Sequence, residues 1–273
     1  MGTKGLLLCG HGSRHPDGVG GFFAMVAEFK QRHPGNTIEA GFLEFSEPTL
    51  ASAVDKLYAQ GVRDIVAVPA FLFTGIHLRQ DIPLVMNSFM EKHAGLSIRM
   101  ASCIGVCNEL VDLACQRIVE AEAQFSDFDR GEALLFGIGV GASIPEANGD
   151  IAKLIQLVSE KSGFAYSLLG FTSPVAKPSV AESVGILSYL PHKSVLALPL
   201  LLFNGAYLET AKMTLEKTCR ESGKTLVVCE PFQSDALILA AMERRMDEVF
   251  EGKVDLLQDF AREKAREGDH GHS

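Results

Sequence analysis

The stretch AVPAFLFTGIHL, residues 67–78, returns later in the chain as ALPLLLFNGAYL, residues 197–208. Both fit A-x-P-x-x-L-F-x-G-x-x-L. Pro69 and Pro199, Gly75 and Gly205, and Pro48 and Pro178 each stand 130 residues apart. Upstream, Gly10-His11-Gly12 answers to Gly139-Val140-Gly141 at a separation of 129, so the second copy carries one inserted residue. Self-similarity at this period describes two copies of one domain, because solenoid units are far shorter.

Around the first copy of the motif, strand and helix signals alternate. The apolar run Leu6–Cys9 within Gly5–Gly10 reads as a short buried strand, followed by a helical pattern placing Phe22, Phe23, Val26 and Phe29 on one side. Thr37–Leu43 reads as a second strand. Glu47-Pro48 is expected to open a helix with Leu50, Val54 and Leu57 on one face and Gly61 as its stop. Asp64–Ala70 is almost all Ile, Val and Ala, the composition of a strand buried on both faces. The next helix begins at Gly75 or is capped by Asp81. Strand Leu96–Ala101 and helix Asn108–Ala123 complete the copy. The predicted fold class is α/β, with two tandem repeated domains, each a parallel sheet flanked by helices. The polar, turn-rich FSDFDRGE at 125–132 sets the boundary between residues 1–127 and 128–273, and each half is expected to form its own core.

Composition narrows the function. A formal net charge of -9 argues against a nucleic-acid or anionic-membrane surface, while leaving room for a local basic pocket. Six cysteines without a C-x-x-C pair indicate reduced thiols and a cytoplasmic location. Cys103 and Cys107 read as small buried hydrophobes rather than metal ligands. Only Leu6–Cys9 precedes the first Gly-His-Gly, too little for a signal peptide, and Val195–Phe203 is about half of the roughly 20 residues a membrane span requires.

The differences between the copies point to chemistry. His11 becomes Val140, His77 becomes Tyr207, and Glu44 faces Ser173 or Pro174. Residues needed for packing would be required in both copies, so loss from one marks function. In a parallel sheet all three follow strand carboxyl ends, where open α/β sheets bind ligands. Two imidazoles and a carboxylate suit divalent Co, Fe, Ni or Zn.

GHGSR after the first strand, FLEFSEPTL after the second and VPAFLFTGIHLRQDIP after the third together resemble the small-tetrapyrrole chelatases, the sirohydrochlorin cobaltochelatase and ferrochelatase family. The first half matches closely, and the second is similar to the degenerate copy of the long, two-domain members. The resemblance implies a lyase that inserts a divalent metal into sirohydrochlorin without ATP, in cobalamin or siroheme biosynthesis. It places the metal on His11, Glu44 and His77, which are also the catalytic residues, with Ser13, Arg14, Phe45 and Arg79 toward the substrate. Arginine can pair with the macrocycle's carboxylates in a fork. His15 and Arg63 are weaker candidates, and Phe42, Phe45, Phe71 and Phe73 divide between core and macrocycle walls. Which histidine is ligand and which is base stays open.

Cobalt is favoured because the long architecture is more similar to the cobalt enzymes, with iron or nickel as alternatives. A homo-oligomer is compatible. No nucleotide and no iron–sulfur cluster is expected, since there is no G-x-x-x-x-G-K-[ST] loop and the tail GDHGHS offers only His270 and His272. A histidine phosphatase would need Arg before its nucleophilic His, where Gly10 stands. Gly137, Gly139 and Ala142 fit a loose dinucleotide pattern, but the next strand ends without the acidic residue that pattern requires. A non-catalytic metal carrier would use the same His11, Glu44 and His77.

Overall fold

The computed structural model describes residues 4–125 and 128–270. Among these, two four-stranded parallel sheets share one topology. The first, ordered β2-β1-β3-β4, contains β1 (Gly5–Gly10), β2 (Thr37–Phe42), β3 (Asp64–Pro69) and β4 (Ser97–Met100). The second, ordered β6-β5-β7-β8, contains β5 (Ala133–Gly139), β6 (Ser167–Phe171), β7 (Ser194–Pro199) and β8 (Thr225–Val228). The two motif copies that revealed the repeat occupy β3 and β7 and their exits, each beside its sheet's first strand.

In the first sheet Leu7, Cys9, Ile65, Ala67, Ile98 and Met100 face a core completed by α2 (Leu50–Ala59), α3 (Ile82–Lys92) and Leu257 of α9 (Leu256–His270). Leu6, Leu8, Val66 and Val68 alternate with them and are equally buried, so both faces are covered, as the composition of 64–70 requires. Removing one such Leu side chain would cost about 2–5 kcal/mol.

Local chemistry sets the helix limits. α1 (Pro16–Arg32) starts with Pro at its first position and His15 as N-cap, whose Nδ1 accepts the Asp17 N–H at 3.4 Å. Phe22, Val26 and Phe29 are buried as expected, but Phe23 is exposed at the edge of that stripe. α2 is opened by Thr49, whose hydroxyl accepts the Ser52 N–H at 3.2 Å, and not by Glu47-Pro48, which lies before the cap. Gly61 ends the segment at φ 84°.

The compact units do not follow the 127/128 division, whose Asp127 lies outside the described residues. One unit spans the chain to Gly105 together with Leu239 onward; the other is Val106–Ile238. The last helix of the first repeat and the last two helices of the second therefore belong to the other repeat's unit. α4 (Asn108–Glu122) packs with α5 (Pro145–Ser162), and its Arg117 is nearly buried, donating to the carbonyls of Pro231 and Phe232 and pairing with Asp235 at 3.0 Å. After α6 (Val180–Val184) and α7 (Ala206–Glu221) in the second unit, α8 (Ala236–Phe250) returns to the first. There Arg245 donates to the Ile104 carbonyl at 2.8 Å, and Glu243 pairs with His33 at 3.1 Å and Arg32 at 3.3 Å. His272 lies outside the described residues, as does the side chain of His270. No helix of the described residues is long and apolar enough to cross a membrane.

Candidate metal centre

The ladder between β1 and β2 continues past the strands. Leu43 N–H donates to the Gly10 carbonyl at 2.9 Å and Glu44 N–H to the His11 carbonyl at 3.0 Å. Gly12 makes this approach feasible: its φ is 99°, and a Cβ there would lie 1.7 Å from the Glu44 carbonyl oxygen. One residue on, Ser13 N–H donates to Ser46 Oγ at 3.1 Å, and the Ser46 hydroxyl donates to the Ser13 carbonyl at 2.9 Å. The two loops are thereby stitched together, and His11 and Glu44 leave them side by side. Phe45 follows at φ 61°, a left-handed conformation rare for an aromatic residue.

His77 arrives from the third strand. Ala70 N–H extends the sheet by donating to the Cys9 carbonyl at 2.9 Å, and the chain then enters a π-helical turn, His77–Asp81. Pro83 explains the widening: its ring would clash with the carbonyl four residues back in a regular helix, and the turn relaxes to an i→i+5 bond from Ile82 N–H to the His77 carbonyl. Such turns recur at functional sites.

The ligand atoms of His11, Glu44 and His77 all lie within 4.8 Å of one another, the one such group of three among the described residues. His11 Nε2 is 3.5 Å from Glu44 Oε1. With bonds of about 2.1 Å to each, a first-row ion between them would subtend roughly 110°. Two ligands of one such ion lie at most about 4.2 Å apart, so closure around it needs shifts of a few tenths of an ångström. His11 Nδ1 is 3.3 Å from the Gly12 carbonyl. A proton on that nitrogen directs the Nε2 lone pair at the carboxylate, and two acceptors face each other until a proton or cation separates them. Burial first, then neighbouring His77, holds the His11 pKa below its ordinary value, with Glu44 and the Gly12 carbonyl opposing. His77 meets His11 edge to face, centroids 4.5 Å apart. All three side chains are about two-thirds buried, leaving an open approach.

Around this group stand Phe45, stacked near His11 with centroids 6.2 Å apart, and Phe71 at the same separation. The Arg14 guanidinium lies 4.8 Å from the Phe45 ring centroid. Other expected residues are engaged elsewhere. The Ser13 hydroxyl accepts the His15 N–H at 3.0 Å, a local turn. Arg79 points to Glu263 of α9 at 3.5 Å, and Arg63 sits at the amino end of β3, the opposite edge of the sheet, donating to the Tyr58 and Val62 carbonyls. Phe42 is core, packed on Phe22. Asp81 caps nothing; its Oδ2 lies 2.7 Å from His77 Nδ1. The H-x-x-x-D spacing was visible in the sequence, but Asp81 also had the appearance of an ordinary N-cap.

The second unit repeats the scaffold without the donors. Thr172 N–H donates to the Gly139 carbonyl at 2.9 Å and Ser173 N–H to the Val140 carbonyl at 2.8 Å, so Ser173 is the counterpart of Glu44. Phe171 N–H bonds the Pro178 carbonyl as Phe42 N–H bonds that of Pro48, which confines the inserted residue to the stretch between Ser173 and Pro178. Val140 and Tyr207 are exposed where the histidines stand in the first unit.

Fold and site define a class: a tandem-repeat parallel α/β protein with an open two-histidine, one-carboxylate cluster on one repeat. The profile of the CbiX family matches residues 5–121 and 134–249, and the chain belongs to that family. It is 27% identical over 256 residues to the sirohydrochlorin cobaltochelatase of Priestia megaterium, covering 92% of this chain and 81% of the relative. The sirohydrochlorin ferrochelatase of the same organism is 27% identical over 212 residues, 78% of this chain and 77% of the relative. The fold is shared with SirB from Bacillus subtilis with Fe3+, at a TM-score of 0.82 and 22% identity, covering 93% of this chain and 100% of SirB. The family expected from the motifs is the one found, and its two matched segments lie on either side of the 125–132 connection.

Proposed function

We propose that this chain is a lyase of the cytoplasm that inserts a divalent metal ion, cobalt by preference, into sirohydrochlorin without ATP. The observation that carries this reading is the convergence of His11, Glu44 and His77 at the sheet's carboxyl edge, in a chain whose relatives are named as sirohydrochlorin chelatases. The donor set suits an ion that must be handed on. Nitrogen and oxygen ligands without thiolate hold cobalt or iron firmly enough to orient and loosely enough to release.

Insertion replaces two pyrrole N–H protons with one dication. As the ion leaves, two imidazole lone pairs are freed, and the two histidines can take up the two protons. The lowered pKa of His11 keeps its lone pair available near neutral pH, and Glu44 beside it stabilises the imidazolium that forms. Phe45 and Phe71 offer apolar surface to the flat macrocycle, and Arg14 over Phe45 is placed to meet a peripheral carboxylate. Arg79, paired with Glu263, would have to exchange that partner to do the same.

The cobalt and iron relatives are equally similar and each aligns with more than three-quarters of this chain, so identity and length leave the two metals level and turnover decides between them. Purified chain incubated with sirohydrochlorin and Co2+, Fe2+ or Ni2+, followed by absorption spectra, tests the proposal. The expected result is turnover above the uncatalysed rate with cobalt fastest. Tight metal binding without turnover would replace the enzyme with a carrier, and fastest turnover with iron would make it a ferrochelatase.

A further inference from the structure

We infer that Asp81, although it belongs to none of the ligating groups, is a positioning residue that fixes the tautomer and ring orientation of His77. The inference rests on the reading of His77 as a metal donor and names a residue that this reading does not otherwise require.

Three observations carry it. Asp81 Oδ2 lies 2.7 Å from His77 Nδ1, within hydrogen-bond distance. Asp81 does not cap α3: its backbone is helical, at φ -71° and ψ -47°, and its carboxylate satisfies no N–H at the start of that helix. The π-helical turn His77–Asp81 opens with the histidine and closes with the carboxylate, so the irregular segment and the contact coincide.

A carboxylate can only accept here, so the proton must reside on His77 Nδ1. The Nε2 lone pair is then the one available to the cluster with His11 and Glu44. Without Asp81, neutral histidine reverts toward its Nε2–H form, which has no lone pair on the nitrogen facing the cluster. His11 obtains the same service from a neutral backbone carbonyl, that of Gly12 at 3.3 Å. A charged acceptor at 2.7 Å is the stronger constraint on tautomer and ring orientation. The second unit has Ala211 at the position matching Asp81, 130 residues on, beside Tyr207 in place of His77. Carboxylate and imidazole are lost together, as expected if one serves the other.

The test uses metal-free full-length chain with 15N-labelled histidine, in two-bond 1H–15N spectra about two pH units above the ordinary histidine value of about 6.5. The signal lost in His77→Ala identifies His77. In the wild type it is expected to show a protonated Nδ1 and a bare Nε2. In Asp81→Ala it should move to mainly Nε2–H, with Co2+ affinity falling about 10- to 100-fold while the thermal transition stays in place. An Nε2–H form in the wild type, an unchanged tautomer in Asp81→Ala, or Co2+ affinity within twofold of wild type would each overturn the inference. None of these readings uses sirohydrochlorin, so a failure of the chelatase assignment would be seen separately in the turnover assay.

Discussion

The backbone N–H of Glu44 donates to the carbonyl of His11 at 3.0 Å, one rung beyond the end of the β1–β2 ladder. That rung makes a strand pair into a site, since it sets the spacing of two side chains from different loops by backbone geometry alone. It depends on Gly12. Gly12→Ala would place a methyl group 1.7 Å from the Glu44 carbonyl oxygen at a φ of 99°, so the loops must part. We expect a loss of more than about 2 kcal/mol in stability and at least a tenfold weaker Co2+ affinity, by chemical denaturation and metal titration. Wild-type values for both would show that the rung does not set the site.

Acid should weaken metal binding, and late. Burial and His77 lower the His11 pKa, so the ring stays neutral below the pH at which an ordinary histidine charges. A proton on the ring competes with the metal, so Co2+ affinity should hold as pH falls to about 6.5 and decline below it. The same shift links to folding: the unfolded chain takes up this proton first, so the His11 contribution to stability diminishes as pH falls from the ordinary value through the lowered one. Metal titrations across pH check this. A decline centred above 6.5 would contradict the assigned direction.

The two copies should differ in metal content. Val offers no lone pair and a neutral phenol is a poor ligand near pH 7, so one tight Co2+ per chain is expected. Tyr207→Phe and Val140→Ala should leave that stoichiometry unchanged. A second tight site abolished by Tyr207→Phe would refute the degenerate assignment of the second unit.

A fragment of residues 1–127 should not fold cooperatively. It would retain α4 without α5 or the carbonyls that Arg117 satisfies, and would lack α8 and α9, leaving the Ile104 carbonyl without Arg245. Circular dichroism on heating is expected to show no sharp transition. A cooperative unfolding like that of the whole chain would show that the helix exchange is dispensable.

Much of this was legible in the sequence. The 130-residue repeat, the buried strands and the loss of three donor residues in the second copy are properties of residue type and spacing, and they led to the sheet order's consequence, one shared edge. What local pattern could not convey was tertiary. Arg79 has the spacing of a site residue but finds Glu263 from the far end of the chain, and α4 is held in the second unit by bonds such as Arg117–Asp235 that no periodicity encodes. Glu47-Pro48 looked like a helix start because Pro favours first turns, yet Thr49 supplied the better cap. Of the two starts open for the next helix, Gly75 or a cap at Asp81, the structure favours the earlier: the helical turn already begins at His77, and Asp81, which makes no cap bond, contacts His77 instead.

The most direct measurement is the initial rate of cobalt insertion into sirohydrochlorin by the wild-type chain and by the His11→Ala/His77→Ala double variant, against the uncatalysed reaction. The account predicts that the variant, folded to the same thermal stability, loses both donors and both proton acceptors and falls by about 10² to 10⁴ or to the uncatalysed background. A double variant that inserts cobalt within a few-fold of the wild-type rate would contradict it.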